Sequence, residues 1–140
     1  MEKGLKEFQA SFLEEKLVGS VFQSREEFQE AFLEFKKYVV LTKQSDKPIG
    51  MASEKVDAVW HQFILFTKEY FAFCEQFVGH YLHHSPRLQS DKSDSAAGVK
   101  RFVEMYTEKF GKMPPVWNIH GKINGVPCSG GKCFSERMKN

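Results

Sequence analysis

The longest hydrophobic pattern of the chain lies near its middle, between Ser53 and Gly79. Residues recur there at spacings of three and four on one helical face: Val56, Val59, Trp60, Phe63, Thr67, Tyr70, Cys74 and Phe77. Ser53 can cap the start of a helix, and Gly79 can adopt the left-handed conformation that ends one. Further apolar residues widen the face, which is typical of a helix buried on several sides. The pattern therefore predicts one long central helix.

Three other stretches show the same helical periodicity. Residues 5–13 form the first, which stops at a Gly-Ser pair, and residues 99–110 form the last. Between the first stretch and the central one, Ser24 and Glu27 make a capping box at the start of a helix that runs to about residue 42. We expect an all-α fold in which these elements pack around the central helix.

The end of the chain has a different composition. It is rich in Gly, contains Cys128 and Cys133, has no helical period, and follows a Pro-Pro pair that stops any helix. The prediction is thus a compact bundle of about four helices in residues 1–112. A non-helical, Gly- and Cys-containing C-terminal extension, residues 113–140, is expected to pack on this domain or to be disordered.

Composition narrows the class of protein. Of the 140 residues, 41% are hydrophobic and 27% are charged, which is ordinary for one soluble domain, and fourteen Phe predict an aromatic core. The formal net charge of +2 is too small to argue for nucleic acid as a partner, and none is expected. No apolar run approaches the roughly 20 residues of a transmembrane helix, and no signal peptide is evident at the N-terminus. We expect a cytoplasmic protein without membrane association, whose partner is another protein or a small molecule. Its three Cys are then thiols or metal ligands.

Asp57 and His61 lie one turn apart on the edge of the central helix. In one interpretation, His61 only donates a hydrogen bond to Asp57. In the other, His61 is a metal ligand and Asp57 either binds the same ion or orients the imidazole. Cys74 follows His61 by thirteen residues, or roughly 20 Å along a straight helix. The two cannot share an ion unless the helix breaks, so we expect Cys74 to be a buried apolar residue.

A second group of candidate ligands follows the central helix. His80, His83 and His84 are surface residues favoured near a helix C-terminus, or one or two of them bind a zinc ion together with Cys128, Cys133 or His120. The two Cys are separated by four residues, which is the outer edge of zinc-ligand spacing. They also allow a redox pair, although the sequence has no Cys-x-x-Cys motif.

The central region also resembles a known family. The matching residues are Val56-Asp57-Ala58-Val59-Trp60-His61, Thr67, Tyr70, Phe73-Cys74, Gly79 and His83-His84-Ser85-Pro86. This pattern is similar to that of the plant glycine-rich domain proteins and their small bacterial relatives, over residues 56–86 only. The plant members often carry a further His where this chain has Phe63, and they have long glycine-rich tails that are absent from this sequence. The resemblance implies a fold and a set of residues, not an activity.

Two functions follow as predictions. The first is a small helical binding or interaction domain with a His/Cys-ligated structural metal, expected to be zinc. The alternative is a metal-dependent enzyme with a catalytic metal at His61 and the His83/His84 loop, where Asp57 orients a ligand or acts as a base. The full candidate metal-binding set is His61, His83, His84, Asp57, Cys128 and Cys133. An enzyme needs an open coordination position, whereas a structural site is filled by protein ligands.

Overall fold

The structure is a computed structural model that describes residues 1–85 and 92–117. Six α-helices make up most of the described chain: α1 Lys3–Glu7, α2 Ser11–Leu17, α3 Arg25–Gln44, α4 Glu54–Leu65, α5 Thr67–Phe73 and α6 Lys92–Phe110. A π-helical turn, Cys74–Val78, continues α5, and a 3-10 turn, Pro115–Trp117, follows α6. Within these ranges the chain forms no β-strand, so the all-α prediction is confirmed. None of the described helices is long and apolar enough to cross a bilayer.

The predicted first helix is two short helices, and the reason is the packing of Phe8. The chain is extended at Phe8, whose ring lies among those of Phe32, Phe73 and Phe77. The buried Lys36 donates from Nζ to the carbonyl oxygen of Phe8 at 2.7 Å and to a second carbonyl at the end of α1. These two bonds satisfy carbonyl groups that the end of a helix leaves without partners.

The predicted central helix is also divided. α4 ends at Phe66, whose backbone angles of φ −89° and ψ 73° are not helical, and α5 starts on the next residue. The ring of Phe66 packs on Phe12, with ring centroids 4.9 Å apart. The break brings Phe63 against both Tyr70 and Phe73, at centroid distances of 5.2 and 5.0 Å. The described part of the bundle thus has six helices rather than about four, because apolar packing divides two of the predicted ones.

Two predicted helix boundaries do form as expected. Ser24 Oγ accepts the backbone N–H of Glu27 at 3.1 Å at the start of α3. The Glu27 carboxylate accepts the N–H of Gln23 instead of that of Ser24, so only half of the predicted capping box is present. Gly79, at φ 96°, ends the π-helical turn in the left-handed conformation.

The last described residues pack on the helices. Trp117 is fully buried, and its indole N–H donates to Glu34 Oε1 at 2.8 Å. Ser53, which caps α4, also donates to the carbonyl oxygen of Val116 at 2.6 Å. The first residues of the predicted C-terminal extension therefore pack on the helical domain. The rest of it, with Cys128 and Cys133, lies outside the described residues, so the boundary near residue 112 stays a prediction.

Candidate metal centre

The first two residues of the site lie on α4. Ser53 Oγ accepts the N–H of Val56 at 3.1 Å and so begins the helix at the predicted position. Asp57 and His61 then occupy successive turns of one face, with His61 Nε2 3.6 Å from Asp57 Oδ2. The side chain of Asp57 is 11% exposed and that of His61 is 55% exposed. The Asp57 carboxylate is thus buried, whereas the His61 imidazole one turn further along α4 faces solvent.

His84 completes the site from a different part of the chain. Its Nε2 lies 2.7 Å from Asp57 Oδ1, which is a hydrogen-bond distance, and its side chain is only 4% exposed. Its ring meets those of Trp60 and His61 edge-on, each at a centroid distance of 4.3 Å. Asp57 is therefore shared by two imidazoles, one buried and one exposed.

Hydrogen bonds to the core hold the loop that carries His84, which spans residues 79–85. The hydroxyl of Tyr70 accepts the indole N–H of Trp60 at 2.9 Å and donates to the carbonyl oxygen of Leu82. The backbone N–H of Leu82 donates to the sulfur of Cys74 at 3.5 Å. All four of these residues are buried, so this loop is fixed to the core two residues before His84.

Burial controls the ionisation of the groups beneath the site. It raises the pKa of the Tyr70 hydroxyl well above its ordinary value. Burial also raises the pKa of the Cys74 thiol. Cys74 is therefore a neutral thiol, whereas a metal ligand is a thiolate. The helix does break between His61 and Cys74, yet Cys74 packs in the core, in agreement with the sequence-based expectation.

Asp57, His61 and His84 bring together three groups that bind metals. One ligand atom from each lies within 4.8 Å of the other two. Tetrahedral zinc with bonds of about 2.0–2.1 Å separates its ligand atoms by about 3.3 Å. His84 Nε2 lies 2.7 Å from Oδ1 of Asp57 and His61 Nε2 lies 3.6 Å from Oδ2, so the separation of each imidazole from the carboxylate is close to that value. Two imidazoles and a carboxylate are a donor set suited to zinc and to other first-row transition metals.

The remaining predicted ligands are elsewhere. His83 is exposed, its ring lies against Tyr81 at a centroid distance of 4.8 Å, and it is not part of the group. His80 is also exposed. Cys128 and Cys133 fall outside the described residues, so a sulfur ligand from the extension stays a prediction.

The sequence does not by itself separate His83 from His84, but the neighbouring residues hold a usable signal. In an extended segment, residues two apart face the same side. Leu82 is buried and Tyr81 is exposed, so His84 faces inward with Leu82. The supporting role of Tyr70 was missed because its partners Trp60 and Leu82 are brought to it by the break in the helix.

Comparison with known proteins changes the family assignment. The family model described as UCP032817-like matches residues 4–115, and this description names no reaction or ligand. No curated protein and no solved structure matches the chain. The expected membership of the glycine-rich domain family is wrong, because the motif behind it covers only residues 56–86 whereas the matching family model spans nearly the whole helical domain. The chain belongs to the UCP032817-like family.

Proposed function

We propose that this protein is a metal-binding domain that holds one divalent transition-metal ion, with zinc as the first candidate, through Asp57, His61 and His84. The observation that carries the proposal is the convergence of these three groups, from α4 and from a loop 27 residues away, on one small volume. Chance surface clusters of this kind are usually exposed, whereas Asp57 and the His84 ring are largely buried.

The proposed site is open rather than closed. Structural zinc sites have four protein ligands, whereas catalytic sites have three and leave a position for water or substrate. Three ligands are available among the described residues, and the exposed His61 places the ion at the surface. The ion in such a site supplies a Lewis acid and lowers the pKa of a bound water. The function we favour is therefore a metal-dependent activity on a small-molecule ligand, rather than a metal that only stabilises the fold.

Each of the three residues has a distinct role in this proposal. Asp57 supplies negative charge that offsets the charge of the cation, and its burial protects that interaction from screening. His84 is held by the core and provides a fixed ligand. His61 stands at the solvent side, beside the position that an external ligand occupies.

A metal-loading experiment tests the site directly. Tag-free protein is stripped with a chelator, reloaded with Zn²⁺, desalted and analysed by ICP-MS. We expect about one equivalent of zinc in the wild type, and loss of it in Asp57→Ala, His61→Ala and His84→Ala. His83→Ala is the matched control, since His83 is in the same loop but outside the group, and it should retain zinc. A wild type that retains no metal, or a His84→Ala variant that retains all of it, contradicts the proposal.

The open position has its own test. Co²⁺ replaces zinc in the loaded protein, and its visible spectrum reports the number of ligands. Addition of azide should change the spectrum, because azide enters a free coordination position. A spectrum unchanged by saturating azide would show a closed site and favour the structural metal.

A second candidate function, protein binding, is favoured by two exposed apolar side chains, one at the end of α4 and one in α5. Leu65 is 72% exposed, one turn beyond His61, and Phe71 in α5 is 54% exposed. Exposed apolar surface of this kind marks interaction sites when it is contiguous. Sedimentation equilibrium of the wild type and of Leu65→Lys/Phe71→Lys tests self-association. Association that is lost in the variant supports this function in the form of self-association, and monomers in both remove self-association.

A further inference from the structure

We infer that Tyr70 is a positioning residue of the metal centre: its hydroxyl sets the distance between the helix that carries Asp57 and His61 and the loop that carries His84. This inference rests on the proposed metal site. It adds a residue that touches neither the ion nor a ligand of the ion but controls how tightly the ion is held.

The Tyr70 hydroxyl makes a hydrogen bond to each side of the site. It accepts the indole N–H of Trp60 at 2.9 Å and donates to the carbonyl oxygen of Leu82. Tyr70 and Trp60 have no exposed surface, and Leu82 is 1% exposed. Water therefore does not compete for these bonds, and the donor and acceptor capacity of the hydroxyl is used within the core.

Both partners of Tyr70 are directly linked to the ligands. Trp60 precedes His61 on α4, and its ring packs edge-on against His84 at a centroid distance of 4.3 Å. Leu82 is two residues before His84 on the loop. A change in the spacing between Trp60 and Leu82 thus changes the spacing between the two imidazoles. The Tyr70 hydroxyl bonds to both partners and so fixes that spacing.

Loss of this hydroxyl should weaken metal affinity more than it changes the packing of the core. Phe in place of Tyr70 keeps the ring and its contact with Phe63. It leaves the Trp60 N–H and the Leu82 carbonyl without their partner, so the loop is free to shift. Residues that orient metal ligands typically change metal affinity by about 10–100-fold when they are mutated. We expect a loss at the lower end of this range, because Leu82 keeps its bond to Cys74.

The test compares two Tyr→Phe variants of the full chain. Tyr70→Phe removes the bridging hydroxyl. Tyr106→Phe removes another buried hydroxyl, which is not part of the site and donates to Glu34 Oε1 with a bond length of 2.6 Å. Zinc affinity is measured by competition with a chromophoric chelator, and the Co²⁺ spectrum reports ligand geometry. We expect Kd for zinc to rise about 10-fold in Tyr70→Phe, with an altered Co²⁺ spectrum. Tyr106→Phe should lower the melting temperature but leave Kd and the spectrum unchanged.

The outcomes separate this inference from the proposed function. Equal zinc affinity in the wild type, Tyr70→Phe and Tyr106→Phe overturns the positioning role and leaves the metal site in place. A wild type without metal overturns the proposed function itself. If Tyr70→Phe does not fold, Trp60→Phe replaces it, since it keeps an aromatic ring at this position but removes the indole N–H that the Tyr70 hydroxyl accepts. We expect a several-fold weaker zinc affinity there, and an unchanged affinity overturns the inference.

Discussion

Asp57 and His84 are joined by a 2.7 Å contact between Oδ1 and Nε2 across 27 residues of chain. The contact ties the first turn of α4 to the loop that follows the π-helical turn. It is largely shielded from solvent, with the two side chains 11% and 4% exposed. The same carboxylate faces His61 from its other oxygen. One buried acid therefore organises both imidazoles, and this relationship is the basis of the metal-site proposal.

The first prediction concerns this contact in the metal-free protein. Asp57→Asn keeps the shape of the side chain and one acceptor oxygen but removes the charge that strengthens the hydrogen bond. We expect the free energy of unfolding in chelator to fall by about 1–2 kcal/mol. Urea denaturation measures it, with Asp46→Asn at an exposed position as the control. An equal effect of the two substitutions would show that the Asp57–His84 contact does not contribute to stability.

The second prediction concerns the buried acid Glu34. Glu34 is 3% exposed, and Tyr106, Trp117 and Lys37 all donate to its carboxylate, at 2.6, 2.8 and 3.0 Å. Glu34→Ala removes the acceptor of the buried Tyr106 hydroxyl and Trp117 indole N–H in the core. We expect a loss of about 3 kcal/mol in the free energy of unfolding.

Glu30→Ala is the matched control for that prediction. Glu30 lies one turn earlier on α3 and is exposed, so its removal should change stability by less than about 0.5 kcal/mol. Urea denaturation of both variants gives the comparison. A Glu34→Ala variant as stable as Glu30→Ala would contradict the assigned role of Glu34 in holding α6 and Trp117.

The third prediction is a loss of stability at alkaline pH. Burial raises the pKa of Tyr106, helped by the neighbouring Glu34 carboxylate, and burial raises the pKa of Tyr70. Above the unfolded-state pKa of about 10, the unfolded chain releases these protons while the folded chain keeps them. The folded state then binds more protons, so stability falls as pH rises from that value toward the folded-state pKa values.

Tyr106→Phe isolates this effect. Burial lowers the pKa of Lys36, which has the opposite sign. Between its folded-state and unfolded-state pKa values the unfolded chain keeps a proton that the folded chain has released, so stability rises with pH there. That contribution is the same in the wild type and in the variant and cancels in their difference. Unfolding measured between about pH 8 and 11, a window around the unfolded-state pKa of Tyr, should show a shallower decline in Tyr106→Phe. Parallel curves for the two proteins would refute the prediction.

The fourth prediction concerns a close approach of two backbones. Gly50 donates its N–H to the carbonyl oxygen of Gly98 at 3.0 Å, where α6 crosses the segment before α4. A methyl group on Gly50 would lie 2.9 Å from the backbone nitrogen of Val99, which cannot move alone. A methyl group on Gly98 would lie 3.3 Å from the nearest atom, a milder contact.

Gly50→Ala should therefore be the more harmful of the two substitutions. We expect it to cost about 2 kcal/mol or more. Gly98→Ala should cost less, because helix propensity returns about 1 kcal/mol at this interior position of α6. Thermal unfolding of both variants measures the order. A Gly98→Ala variant that is less stable than Gly50→Ala would reverse the predicted order and place the tight contact on the other segment of the crossing.

Local signals in the sequence were sufficient to predict much of the secondary structure of the helical domain. The cap at Ser53 and the left-handed stop at Gly79 both appear where they were expected. These features depend on residues three or four apart, so a single segment contains them. Asp57 and His61 are also four residues apart, so the sequence was sufficient to predict that both lie on one face of the helix.

The features that were missed depend on contacts between distant segments. The interruptions at Phe8 and Phe66 have neither Gly nor Pro, and they form because aromatic rings from other helices receive these side chains. The choice of His84 over His83 depends on Leu82 being drawn into the core by Tyr70 and Cys74. A single sequence shows which residues are present, but it does not show which distant residues will contact each other.

The most direct test of the central claim is X-ray absorption spectroscopy at the zinc edge of the zinc-loaded wild type. A site formed by Asp57, His61 and His84 predicts a shell of nitrogen and oxygen at about 2.0–2.1 Å, with the multiple scattering of two imidazoles and no sulfur. A sulfur shell at about 2.3 Å would assign the metal to Cys128 and Cys133 instead. That result, or a protein that retains no zinc to measure, would contradict a metal centre built on the Asp57–His84 contact.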